Sequence, residues 1–266
     1  MILEVKNLNK SNISFSIDEG DFLLVFGPDD AGKTNLLYQI MGLRHFRDGE
    51  ILFEGKSVRT LNREDLKKIR FVPDNVCMEN ITAREYFSML AKGYLEYSEE
   101  DVQDLCEYFG VDLDCCLTDM TYNENKLTMI IGAMVTMPRL LILDEPLNFM
   151  TEASGKKLLE FLKYLSGKGI AVLVTSDISA PVSAYCSHYI YFRESAVAHS
   201  GLVRDIYGSK KAVTITKNGQ KNTQIYEKAV LSKNLSQIVM LMGDADIEIE
   251  TLTLEEILDD DITRWM

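Results

Sequence analysis

Eight residues limit what this chain can become. Gly27-Pro28-Asp29-Asp30-Ala31-Gly32-Lys33-Thr34 follows Phe22-Leu23-Leu24-Val25-Phe26 and opens a helix-like stretch from Lys33 to Met41. An unbroken apolar run is expected of a strand covered on both faces. A strand that turns through glycines into a helix gives the pattern G-x-x-x-x-G-K-T its meaning. The glycines let successive N–H groups point into one hollow, and the helix N-terminus adds its dipole, so the loop is suited to a phosphate anion. Lys33 is expected to reach the β- and γ-phosphates and the Thr34 hydroxyl to ligate Mg²⁺, with Gly27, Pro28, Asp29, Asp30, Ala31, Gly32 and Asn35 completing the nucleotide site.

A second motif agrees with the first. Leu140-Leu141-Ile142-Leu143-Asp144-Glu145-Pro146 is an apolar strand ending in two acids. Beside a phosphate loop, the first acid is expected to hold Mg²⁺ through water. The second, Glu145, is placed to act as general base on an attacking water.

The rest of the chain reads as alternating strands and helices, which implies a mostly parallel α/β sheet. Strands are expected at Ile2–Val5, Ile13–Ile17 and Glu50–Phe53 before the middle turns helical. Thr82-Ala83-Arg84-Glu85 has capping-box spacing, and Ser98 to Asp101 repeats it. A third helix is expected over Asn125–Val135. A helix over Glu152–Leu165 and a buried strand over Ile170–Thr175 restore the α/β rhythm. From about Lys210 the character changes: a strand pair, Ala212–Thr216 and Thr223–Tyr226, surrounds Asn218-Gly219. A helix over Leu235–Met242, a strand over Ile247–Glu250 and a last helix over Thr253–Leu258 would complete a small appended α/β unit.

The net charge of −13 argues against nucleic-acid partners, which need a Lys/Arg surface. Met1–Lys10 lacks the apolar core of a signal peptide. The longest apolar stretch, Met129–Leu143, is broken by Pro138 and Arg139 and is too short to cross a membrane. Cys77, Cys106, Cys115, Cys116 and Cys186 form no CxxC pair and read as free thiols in a reducing cytosol.

With both motifs in order, Met1 to about Tyr207 resembles the ATP-binding subunits of ABC transporters, most of all the bacterial subunits that pair with separate membrane proteins in export. Leu252-Thr253-Leu254-Glu255-Glu256-Ile257-Leu258 is similar to that subgroup's closing element. The resemblance implies a P-loop NTPase core with a RecA-like parallel sheet, an N-terminal antiparallel β subdomain, a helical insert over about 80–136, and an accessory α/β region over 208–266 after a cassette over 1–207. It implies ATP and Mg²⁺ as ligands. It also implies a transmembrane permease and a second ATP-binding subunit, homologous or identical, as partners at the cytoplasmic face of the membrane. In such pairs the phosphate loop of one subunit faces a signature, usually LSGGQ, of the other.

Against that family pattern the chain departs at named positions. The loop Asn9–Asn12 carries no aromatic to stack an adenine, a contact worth about 1–3 kcal/mol in nucleic-acid cases, and Phe15 alternates with core residues Ile13 and Ile17. Asp30 replaces a glycine. Its backbone cost is about 1 kcal/mol, while repulsion from a phosphate about 5 Å away is roughly 3 kcal/mol at an effective dielectric near 20. The signature position reads Met120-Thr121-Tyr122-Asn123-Glu124, in which Tyr122 and Asn123 replace glycines and Glu124 adds charge. Asp74 stands for a Gln that senses Mg²⁺ and could still ligate a hard cation. Asp177 stands for a His that donates to the γ-phosphate, which an ionised Asp cannot do. The acid expected near Thr151 is missing.

Two functions follow. One is an ATPase subunit that powers an exporter through MgATP-driven dimerisation and hydrolysis by Glu145. The other is a nucleotide-binding, hydrolysis-poor structural or regulatory subunit paired with a competent ATPase.

Overall fold

The computed structural model of the 266-residue chain describes residues 1–9, 13–75, 80–94, 97–206, 208–217, 220–233, 235 and 246–263. At its centre lies a six-stranded sheet. Strands β3 (Phe22–Phe26), β6 (Ile69–Val72), β7 (Leu140–Leu143), β8 (Ala171–Ser176) and β9 (His188–Arg193) run parallel, and β10 (Ala196–Leu202) closes one edge antiparallel to β9, in the order β10-β9-β3-β8-β7-β6. Every residue of β3, β7 and β8 is buried, which is why their sequences are continuous rather than alternating apolar runs.

The period of two along a strand divides this interior into two cores. Leu24, Phe26, Leu141, Leu143, Val172 and Val174 face one side, where they meet α5 (Tyr122–Met134) and α6 (Glu152–Gly167). Leu23, Val25, Leu140, Ile142 and Leu173 face the other, where they meet α1 (Lys33–Ile40) and a separate antiparallel sheet. That sheet has the order β2-β1-β4-β5, from β1 (Leu3–Leu8), β2 (Ile13–Ile17), β4 (Glu50–Phe53) and β5 (Lys56–Ser57). Each fully buried Leu or Phe here stabilises by about 1.5–3 kcal/mol.

The short helix α2 (Arg63–Lys67) leads into β6, and between β6 and β7 the chain inserts α3 (Ala83–Ala91), α4 (Glu99–Phe109) and α5. Thr82 and Glu85 form the expected capping box, and Ser98 Oγ accepts from the Asp101 N–H at 3.2 Å. Helix α5 departs from expectation. It begins at Tyr122, not Asn125, because Thr121 caps it and Glu124 accepts from the Thr121 N–H at 2.8 Å, a full capping box like that of Thr82 and Glu85. The hairpin β9–β10 has no alternating pattern in the sequence to mark it.

The tail forms a three-stranded antiparallel sheet, β12-β11-β13, from β11 (Lys210–Lys217), β12 (Gln220–Glu227) and β13 (Asp246–Thr251). The expected turn at Asn218-Gly219 lies outside the described residues, as does nearly all of the expected helix Leu235–Met242. The last helix runs over Leu254–Thr263. Its Leu254 and Leu258 enter the larger core on the α5–α6 side of the central sheet, whereas Ile257 packs with Ala212 and Leu252 in a small core of the tail. Ser179 donates both its N–H and its hydroxyl to the Glu255 carboxylate, fastening this helix to the loop after β8.

Among the described residues no helix is long and apolar enough to cross a membrane, and Cys106, Cys115, Cys116 and Cys186 are free thiols. Cys77 lies outside the described residues.

Candidate functional site

Parallel strands bring their C-terminal ends to one edge of a sheet, and the loops that follow them meet there. Phe26 lies opposite Ser176, so Gly27 and Asp177 leave the sheet side by side. Leu143 lies opposite Val174, so Asp144 neighbours Thr175. Val72 lies opposite Leu143, so Pro73-Asp74 comes alongside Asp144.

The phosphate loop needs its terminal glycines. Gly27 has φ 148°, and a Cβ there would lie 2.0 Å from the Phe192 carbonyl oxygen. Gly32 caps α1 with φ 99°. Asp30 holds φ 61°, the left-handed geometry expected of it as a glycine replacement.

Lys33 is only 6% exposed and is folded into its own loop. Its ammonium donates to the Gly27 oxygen at 2.7 Å and the Pro28 oxygen at 3.2 Å, and also to Asp177 Oδ1 at 2.7 Å. Glu145 Oε1 lies 3.6 Å away. Asp29, Asp30, Thr34, Asn35, Asp74, Glu145 and Asp177 line the same cavity of about 420 Å³, together with Arg44 and Asn148. Arg44 Nη1 donates to Asn35 Oδ1 at 2.9 Å.

The two acids after β7 differ. Asp144 is 1% exposed; Thr175 Oγ1 donates to its Oδ1 at 2.6 Å, while its Oδ2 is buried without a hydrogen-bond partner. Glu145 Oε1 also accepts no hydrogen bond, and its residue adopts φ 44°. Burial foremost, then the charge of Asp177, pushes the Glu145 carboxyl up to about 7 against the pull of Lys33. A base with that value is well matched to proton transfer near neutral pH. Burial also resists ionisation of Asp177, but the hydrogen bond and charge of Lys33 outweigh it and hold that carboxyl below its ordinary value. Asp29 is held above its own by hydrogen bonding to Asp177 and by its charge.

Among the described residues no three His, Cys, Asp or Glu side chains converge as a metal cage. The donors fit a nucleotide-borne Mg²⁺ instead, which needs one or two carboxylates and a hydroxyl beside phosphate and water oxygens. The bare Asp144 Oδ2 and the exposed Thr34 hydroxyl could supply them. Asp74 is placed at the same cavity, where Asn148 Nδ2 donates to its Oδ1 at 3.4 Å.

Thr121, Tyr122, Asn123 and Glu124 do not join that cavity. They form the cap and first turn of α5, and the Glu124 carboxylate, expected as a free charge, is engaged by the Thr121 N–H and hydroxyl. Tyr122 instead donates its hydroxyl to the Asp74 carbonyl and sets its ring edge-on to Phe149, centroids 5.1 Å apart. Lys126, Asn148, Thr175 and Arg44 were not anticipated; only Thr175 had a signal, as the polar end of an apolar strand.

Fold and loop together define the class: a P-loop cassette of the nucleoside triphosphatase type. The family profile described as ABC transporter matches residues 10–148, more than half of the chain, and the chain belongs to that family of ATP-binding proteins, whose cassettes generally hydrolyse ATP. It is 26% identical over 96% of its length to the uncharacterized ABC transporter ATP-binding protein YhcH of Bacillus subtilis, covering 85% of that protein. It is 23% identical over 77% of its length to the ribose import ATP-binding protein RbsA of Caldanaerobacter subterraneus, of which it spans only 45%. The fold matches the dimeric structure of MJ0796, a bacterial ABC transporter cassette, with a TM-score of 0.68 at 20% identity, over 76% of this chain and 99% of that one.

Proposed function

We propose that this chain is the ATP-binding subunit of an ABC membrane exporter, working as a pair of cassettes on a transmembrane permease at the cytoplasmic face of the membrane. The observation that carries the reading is the convergence of the Lys33–Thr34 loop with a buried, half-satisfied Asp144 and a Glu145 raised to about 7. In this reading the loop amides and Lys33 bind the phosphates of ATP, and Thr34, Asp144 and Asp74 hold Mg²⁺. When bound, Mg²⁺ supplies charge neutralisation of the β- and γ-oxygens. Glu145 takes a proton from the water that attacks the γ-phosphorus, and the bond to the β-phosphate oxygen breaks to give ADP and phosphate. The apolar hollow of about 390 Å³ between β6, α3 and α5, with Phe71, Pro73, Met89 and Met129 among its walls, is where we expect the permease to seat. Residues 1–207 form the cassette in this reading and 208–266 an accessory unit. The outward direction rests on the resemblance of the tail element; the kinship with a ribose import protein leaves import as the rival outcome of a vesicle transport assay.

A second reading has a specific observation behind it. Asp177 occupies Lys33 at 2.7 Å, the group an incoming phosphate must win, and Tyr122 sits where the family has glycine. Both favour a subunit that binds MgATP weakly and hydrolyses little, alongside a competent partner. Turnover of the purified chain, alone and with its permease, separates the two. The ATPase reading requires steady hydrolysis that Glu145→Gln abolishes while MgATP still binds; binding without turnover in both contexts overturns it in favour of the second.

A further inference from the structure

Lys126 has no part in the chemistry above, yet its ammonium is buried and fully engaged. It lies in the second turn of α5 and is 0% exposed. Its ammonium donates to the Pro73 oxygen at 2.6 Å, the Asp74 oxygen at 2.9 Å and the Asp144 oxygen at 2.9 Å. Those three bonds use all the protons that a lysine ammonium carries. Asp74 Oδ1, 3.7 Å away, is its nearest carboxylate oxygen. A buried ammonium is costly unless fully paired. Here it is spread over three main-chain carbonyls from two different loops.

One of those carbonyls belongs to the Asp144–Glu145 peptide. The N–H of the same peptide is also fixed, donating to Thr175 Oγ1 at 2.9 Å, and that hydroxyl donates onward to Asp144 Oδ1 at 2.6 Å. The peptide plane is therefore held at both ends, its oxygen by Lys126 and its nitrogen by Thr175. Glu145 immediately follows with φ 44°. A non-glycine residue keeps such a conformation only where its surroundings over-determine it. Rotating this plane would take Glu145 out of the left-handed region, and the backbone that sets its carboxylate 3.6 Å from Lys33 would no longer be fixed.

We propose that Lys126 is a positioning residue for Glu145, locking the Asp144–Glu145 peptide plane from its carbonyl side while Thr175 locks it from the amide side. The proposal rests on the ATPase reading for its consequence in turnover, but not for its geometry.

The test compares Lys126→Met, Lys126→Gln and Thr175→Val in the full chain. Four quantities are read: kcat and KM for MgATP, MgADP affinity by calorimetry, and amide exchange at Asp144–Glu145 against exchange in α6. Misplacing a reacting group by about 1 Å costs roughly a hundredfold in rate. Lys126→Met and Thr175→Val are each expected to lower kcat by about that factor while KM and MgADP affinity stay within about threefold. The double variant should be little worse than either single, since both release one peptide. Lys126→Gln, which keeps two donors, should recover at least about tenfold of the loss, and exchange at Glu145 in Lys126→Met should quicken by about tenfold or more with α6 unchanged. A merely structural lysine predicts otherwise: a lower melting temperature with kcat retained, or kcat and KM worsening together, and either result overturns the proposal. If Lys126→Met does not fold, Lys126→Gln and Thr175→Val carry the same comparison. If the wild type binds MgATP without turnover, the ATPase reading fails by itself and exchange decides: unchanged protection at Glu145 overturns the lock, and lost protection supports it.

Discussion

Replacing Asp177 by Asn should tighten nucleotide binding, although it removes the ion-pair partner of the most important lysine in the site. In the structure the Lys33 ammonium sits 2.7 Å from Asp177 Oδ1, and a phosphate oxygen gripped by the same ammonium would come within about 5 Å of that carboxylate. Two unit charges at about 5 Å repel by roughly 3 kcal/mol at an effective dielectric near 20. The Asp177 side chain is 41% exposed, so solvent screening reduces this to about 1–1.5 kcal/mol, or near tenfold in the dissociation constant. Freeing Lys33 from its internal acceptor acts in the same direction. Calorimetric titration with MgADP at 0.1 M and 1 M salt is the assay. Asp177→Asn should bind about tenfold tighter than wild type at the lower salt. The gap should shrink at the higher, where the screening length falls from about 10 Å to about 3 Å. Equal or weaker binding by the variant at 0.1 M salt would refute the view of Asp177 as an internal competitor for the phosphate seat.

Three other outcomes follow from the same structure. Glu145 goes from an ordinary value of 4.5 to about 7 in the folded chain. The folded state thus holds that proton more tightly than the unfolded one, and its contribution is full at low pH and lost as pH rises from 4.5 through 7. Glu145→Gln, which has no proton to lose, should therefore gain up to about 3 kcal/mol over wild type at pH 8 and under about 1 kcal/mol at pH 5, read as melting temperatures at the two pH values. Gly27→Ala would drive a Cβ to 2.0 Å from the Phe192 carbonyl; a loss of at least about 2 kcal/mol and of the MgADP heat signal is expected, and a variant that binds normally would mean that the loop tolerates another path. Glu255→Ala leaves the Ser179 N–H and hydroxyl, both held by that carboxylate, without acceptors at a cost of about 1–3 kcal/mol. Limited proteolysis should then release the tail sooner, and unchanged cleavage would show that Leu254 and Leu258 anchor it unaided.

What the sequence disclosed was whatever a single segment carries. Strands β3 and β7 were plain because a strand buried on both faces must be apolar throughout, and the glycines of the loop were plain because side-chain space is forbidden there. The β9–β10 hairpin was hidden because β10 is an edge strand, half-buried to exposed along its whole length, with no alternation to mark it. The start of α5 was hidden for a different reason. Thr121-x-x-Glu124 has the same capping spacing as Thr82-x-x-Glu85, but it coincides with the position of the family's signature loop, which masks its local chemistry.

The partners of the charged groups could not be read from any one segment. Lys33 and Asp177 lie 144 positions apart, and Lys126 and Pro73 lie 53 apart, so the type of each residue fixed its charge but not what it would face. Register supplies the missing step. Once Phe26 stands opposite Ser176, Leu143 opposite Val174 and Val72 opposite Leu143, the residues that follow four parallel strands have no other place to go than one edge. The acid after β8 must then meet the loop after β3, whichever residue the sequence writes there. In the proposed nucleotide site, a histidine at that position would give Lys33 a neighbour that donates to phosphate; the aspartate would give it a neighbour that competes with phosphate. The same scaffold thus turns one substitution at a strand end into a change in what the site does with its own lysine.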